Sequence, residues 1–148
     1  MNAIQISERI ITLARGDEKI APELSPLKIQ KLLFYTQAWY AANKDDRLFE
    51  DDIYAWPLGP VVEDVYHHYK SYGAQDLAKE ESLTITCNDD SFDEDIKSVL
   101  AVYGGMSAYE LVARTHKEEV WRKYKGASNK LIPFEEIRSD FKLRLNAA

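Results

Sequence analysis

Residues 25–42 constrain the fold more than any other stretch. Ser25 offers a side-chain oxygen to free backbone N–H groups, and Pro26 suits the first helical position, where its missing N–H costs nothing. A helix is therefore predicted from Pro26 to about Ala42. Along it Leu27, Ile29, Leu32, Leu33, Phe34, Tyr35, Ala38 and Trp39 leave only a narrow polar strip of Lys28, Gln30, Lys31 and Gln37. A helix this apolar belongs at the centre of a core. At 148 residues the chain is long enough to build one, burying roughly 68–70% of its unfolded surface in a single domain, residues 1–148.

The flanking segments supply what packs around it. Ile4, Ile6, Ile10, Ile11 and Leu13 recur at helical spacing, with Gly16 as a stop. The polar run Asn43 to Asp52 predicts a surface loop, and Ile53-Tyr54-Ala55-Trp56 a short strand ending at Pro57. Gly59-Pro60 predicts a turn into a helix whose apolar face is Val61, Val62, Val65, Tyr66, Tyr69 and Tyr72, ended by Gly73. Leu83 to Thr86 is the one strand-like piece of residues 74–91, and pairing with residues 53–56 is the expectation for it. Ser91 with Glu94, Ser107 with Glu110 and Thr115 with Glu118 each match a capping box, predicting three helix starts, the first helix running to about Tyr103 before Gly104-Gly105. Pro133 opens a last helix with Phe134, Ile137, Phe141 and Leu145 on one side. The fold class is mainly α: a compact domain of six or seven helices with a minor short β element.

Several function classes lose support at once. Cys87 is the only cysteine, which excludes an internal disulfide and fits a reducing compartment. Glu8 and Arg9 interrupt the first apolar stretch, so it is no signal peptide, and nowhere do eighteen apolar residues run together; a cytoplasmic protein without membrane association is expected. The net charge of -6 divides unevenly, about -10 over residues 1–112 and +4 over residues 113–148. An acidic body argues against phosphate-backbone binding, although the basic C-terminal part keeps a DNA-binding alternative open.

Catalytic chemistry is sparse. His67 and His68 are adjacent on a helix and point about 100° apart, so they do not converge on one metal. A metal-dependent hydrolase would have to join one of them to His116, with Glu63 or Asp64 as carboxylate ligand. Cys87 with His116 is the minimum for a thiol nucleophile and its base, with no activating feature in view. No phosphate-cradling loop is present. The reading is of a protein that is not an enzyme, with no metal or other cofactor.

Aromatic content is what stands out: three Trp and nine Tyr. Such side chains carry much apolar area with a polar tip, which suits cores and protein interfaces alike. Trp39, Trp56 and Trp121 read as core, whereas Tyr40, Tyr66, Tyr69 and Tyr72, with the acids Glu63 and Asp64, are the candidate contact residues.

The string Leu27 to Trp39, then Leu48-Phe49, Ile53, Ala55-Trp56, Gly59-Pro60-Val61-Val62, Val65-Tyr66, Tyr72-Gly73, Ser107-Ala108, Leu111, Thr115-His116-Lys117-Glu118, Trp121, Ile132-Pro133, Glu136-Ile137 and Phe141, resembles in that order the Panacea domain family, also called SocA-like. One departure is Val120 where the family pattern usually has Pro before the Trp. The resemblance implies a mainly helical antitoxin, also known among phage-associated proteins, that neutralises a toxin encoded nearby by direct binding, as in type II toxin–antitoxin systems. A branch of the family implies instead an adaptor delivering its partner to a ClpXP-type protease, for which residues 74–91 or the C-terminal tail would be the docking element. Trp39, Trp56, Gly59, Pro60, Thr115, His116 and Trp121 are then structural motif residues, with His116 donating to a backbone carbonyl near Trp121.

Overall fold

A computed structural model describes residues 1–20 and 23–147. The central helix, α2, spans Pro26–Lys44, with the Ser25 side chain accepting from the Lys28 N–H and Asp45 closing the far end in the left-handed conformation. It is buried nearly all round, and α7 (Phe134–Asn146), α4 (Asp93–Tyr103), α5 (Ala108–Thr115) and α1 (Ala3–Arg15) pack around it. Two short helices, α3 (Glu63–Tyr69) and α6 (Glu119–Tyr124), bring the total among the described residues to seven. One continuous apolar cluster runs from Ala3 through Phe34 and Tyr35 to Phe141.

The β element is a small antiparallel sheet in the order β2-β1-β3, with β1 at Ile53–Trp56, β2 at Gly59–Val61 and β3 at Leu131–Ile132. Trp56 pairs with Gly59 and Ala55 with Pro60, so Pro57 and Leu58 form a two-residue hairpin turn, while Ile53 pairs with Ile132. This corrects two expectations. Gly59-Pro60 does not open a helix: it is an edge strand, a position that tolerates proline because no ladder N–H is demanded, and α3 begins only after Val62. The strand partner of residues 53–56 is not Leu83–Thr86, which is not strand at all; there the Thr86 and Cys87 N–H groups donate to the buried carboxylate of Glu8 at 3.0 and 3.3 Å.

Of the three capping boxes, only Ser107 with Glu110 forms. Ser91 bonds to Asp89 instead, and α4 starts without a side-chain cap. Thr115 is the last residue of α5 rather than the start of a helix; its hydroxyl bonds back to the Val112 carbonyl, and α6 begins after Glu118. The run 43–52 also departs from a purely surface loop: its first residues finish α2, and Leu48 and Phe49 are buried. At the other end of α7, Leu145 extends past the core and is exposed, unlike Ile137 and Phe141.

The polar strip of α2 explains how such a helix sits in a core. Lys28, Gln30, Lys31 and Gln37 are all buried, and each reaches the backbone of a loop, a turn or the edge strand β2. Gln37 alone serves three groups, donating to the Phe49 carbonyl at 2.7 Å and accepting from the Leu48 and Phe49 N–H groups at 2.8 and 3.3 Å. These groups have no helix or sheet partner, and burying them unpaired would cost about 1–3 kcal/mol each.

Candidate protein-contact surface

The strip's middle part holds the β1–β2 hairpin. Lys31 Nζ donates to the Pro60 carbonyl at 3.0 Å, and Gln30 brackets Val62, accepting from its N–H at 2.9 Å and donating to its carbonyl at 3.0 Å. From the other side Trp121 Nε1 donates to the Trp56 carbonyl at 2.8 Å. His116 Nε2 lies 2.9 Å from the Pro57 carbonyl, which can only accept, so this nitrogen carries the proton. The His116 ring stacks on Trp121 at 4.1 Å. Gly59 has φ of +112°, and a Cβ there would lie 2.6 Å from Thr115 Oγ1 and 2.9 Å from Lys31 Cε. Only glycine fits, for backbone and space together.

What this frame displays is apolar. Leu58 at the turn is 48% exposed and Tyr66 on α3 is 38% exposed, with Trp56 against Tyr66 edge to face at 5.1 Å. Glu63 and Asp64, both exposed, occupy the first turn of α3 beside them. Lys70 and Lys125 lie over the Tyr66 and Trp121 rings, so the apolar tip is flanked by charge of both signs.

The candidate contact residues therefore separate. Tyr66, Glu63 and Asp64 come together on the surface. Tyr69 is corrected: it is fully buried, its hydroxyl 2.6 Å from Ser7 Oγ, and burial pushes that hydroxyl up to about 12, so it cannot meet a partner. Tyr72 is half-buried, and Tyr40, also half-buried, packs edge to face on Phe92 beside α4. Trp39 belongs to the core, donating to the Tyr103 hydroxyl at 3.0 Å and meeting Phe141 edge to face. Leu58 carries no signal in the sequence, since a lone Leu between Pro57 and Gly59 has no periodicity. Lys31 and Gln30 were visible as polar residues in an apolar helix, though not for what they hold.

The histidines and the cysteine singled out as candidates for chemistry have other partners among the described residues. His116 is committed to Pro57 and Trp121, while Cys87 lies by Glu8 and Arg9; no group of three or more His, Cys, Asp and Glu fit to hold a metal occurs among the described residues. Two further concavities are present. A groove of about 810 Å³ between the end of α1 and α4 is lined by Leu13, Leu100 and Val102, and a pocket of about 500 Å³ has Glu118, paired with Arg144, beside Tyr35. Tyr35 stacks on Tyr103 at 4.0 Å, and burial, then the nearby Glu118 carboxylate, raises its pKa, so it stays a neutral donor.

The profile of the family described as "Antitoxin SocA-like, Panacea domain" matches residues 29–122. The chain belongs to this family. The matched stretch takes in most of α2, the hairpin, α3, Thr115-His116 and Trp121, while β3, which pairs with β1 of the Panacea hairpin, lies beyond it. No curated protein and no solved structure gives a significant match. Among the described residues of this Panacea chain, no helix is long and apolar enough to cross a membrane.

Proposed function

We propose that the chain is a cytoplasmic antitoxin that acts as one unit over residues 1–148 and neutralises a cognate toxin by direct protein–protein binding, without catalysis of its own. Membership of the antitoxin SocA-like family carries this reading. The contact face we assign is Leu58 at its centre, with Trp56, Tyr66, Glu63 and Asp64 around it. Leu58 and the aromatic pair offer an apolar anchor on a backbone already held by Lys31, Gln30, Trp121 and His116, and an anchor ordered in advance loses little conformational entropy on binding.

The test is to induce the adjacent small open reading frame in a bacterial host with and without this chain, following growth and co-purification. Rescue with a recoverable complex is expected, and Leu58→Asp should abolish both while leaving the unfolding midpoint unchanged. No rescue by the wild type would overturn the function; full rescue by Leu58→Asp would overturn the contact face. Rescue without a complex, accompanied by loss of the toxin, would instead favour delivery to a ClpXP-type protease. The segment first suggested as a docking element for that role is pinned to α1, through Arg15 to the Ala78 carbonyl and through Glu8 to Thr86 and Cys87.

A further inference from the structure

The two buried lysines of α2 are in unlike situations. Lys28 Nζ donates to two carbonyls, those of Ile20 at 2.8 Å and Gly104 at 2.7 Å; burial lowers its pKa, and the negative charges of Asp76 and Glu110 oppose that. Lys31, equally inaccessible, has one acceptor among the described residues, the Pro60 carbonyl. Around it β2 brings Gly59 and Pro60, which carry no titratable side chain, and α5 brings Thr115, whose hydroxyl is already donated to Val112. The charged and titratable groups nearby in the fold do not compensate: Glu63, Asp64, His67 and His68 on α3 and Arg114 on α5 are exposed, and His116 serves the hairpin tip. Burial alone acts on the Lys31 amine, lowering its pKa to about 7. An ammonium carries three N–H donors, and a buried one left with a single acceptor is strongly disfavoured.

We infer that Lys31 is a proton-operated latch beneath the contact hairpin. As a neutral amine, it fits the site and holds Pro60 in place. On taking a proton from solvent it becomes an ammonium that must reach further acceptors or water, and it gains them by moving β2, the nearest element without a helix of its own to hold it. Gly59 to Val62 shift, and with them the turn that displays Leu58. The latch rests on the burial of Lys31 and on its single acceptor; its meaning as regulation of toxin binding rests on the function proposed above.

The full chain, labelled with ¹³C at lysine Cε and ¹⁵N along the backbone, is titrated from about pH 5.5 to about pH 11, which spans the ordinary ranges of histidine and lysine. One Cε signal, assigned through its own backbone to Lys31, should titrate near pH 7, about three pH units below the ordinary lysine value. The amides of Gly59, Val61 and Val62 should shift with the same midpoint. In Lys31→Met those shifts should vanish, and in His116→Gln they should persist, which separates the latch from imidazole titration at the tip. If Lys31→Met does not fold, the wild-type Cε titration and its match to the hairpin amides decide the matter alone. Titration of Lys31 at the ordinary lysine value, or hairpin amides that do not follow it, would overturn the latch. No partner is used, so this failure is distinct from failure of the antitoxin reading, which the growth assay reports.

Discussion

Lys31 on α2 and Lys142 on α7 are the same residue in opposite surroundings. Lys31 is fully buried and holds a carbonyl of a strand edge, whereas Lys142 meets Asp45 at 2.8 Å in water, alongside Arg138. The interior strip of α2 works through one to three hydrogen bonds per side chain to backbone groups of other segments. The charged face of α7 works through ion pairs whose members are both well hydrated when apart. The contrast teaches that the polar groups holding this fold together are those facing inward, and that the more numerous surface pairs are largely replaceable.

The largest expected effect comes from pH. The folded pKa of Lys31 lies near 7 and its unfolded value near 10.5, so between these values the unfolded chain binds the extra proton. Stability should therefore rise as pH increases from about 7 to about 10, by up to about 5 kcal/mol from this residue, and remain without that gain below pH 7. Above pH 10 the raised folded pKa of Tyr69, about 12, works the other way, since the unfolded tyrosine ionises first. Urea unfolding across this range checks the rise, and Lys31→Met should remove this residue's share of it, leaving the smaller part that the lowered pKa of buried Lys28 contributes.

Gln37→Leu comes next. It keeps the volume but leaves the Leu48 N–H and both polar groups of Phe49 unpaired in the interior, a loss of about 4 kcal/mol readable in the same unfolding experiment. A loss under about 1 kcal/mol would mean that water reaches the 48–49 turn and that the strip is less decisive than argued. Gly59→Ala should cost about 3 kcal/mol, from a left-handed backbone and from contact with Thr115 and Lys31, and should broaden the amide signals of the hairpin. Lys142→Ala should have the smallest effect, a barely shifted thermal midpoint insensitive to salt; a large shift would erase the contrast between the two faces.

Much of this was legible from local chemistry. Ser25-Pro26 marked the start of α2, Ile53 to Trp56 the first strand, and Ser107 with Glu110 a true capping box, because in each case the nearest neighbours in sequence are also the partners in space. Where a competing partner was at hand, the same signals misled. Ser91 had Asp89 closer to hand than the N–H three residues on, and Thr115 was already enclosed in the last turn of α5 beneath Gly59. Gly59-Pro60 has the chemistry of a helix entry and of an edge strand, and only Trp56 and Ala55 alongside decided for the strand. The candidate surface followed the same division: Tyr66, Glu63 and Asp64 were found by composition, Tyr69 was lost to Ser7, and Leu58 emerged only with the hairpin.

By itself, the sequence determined that one apolar helix would be enclosed by others, that the family would be the SocA-like Panacea one, and that a few helix starts would be capped locally. Those properties depend on periodicity, on residue order and on hydrogen bonds spanning three or four positions. Only the tertiary structure decided that the polar strip of α2 faces inward, that β3 rather than residues 83–86 completes the sheet, and which tyrosines meet solvent. The reason is that a buried lysine or glutamine is tolerable only when a distant backbone group arrives to pair with it, and no local pattern records which group that will be.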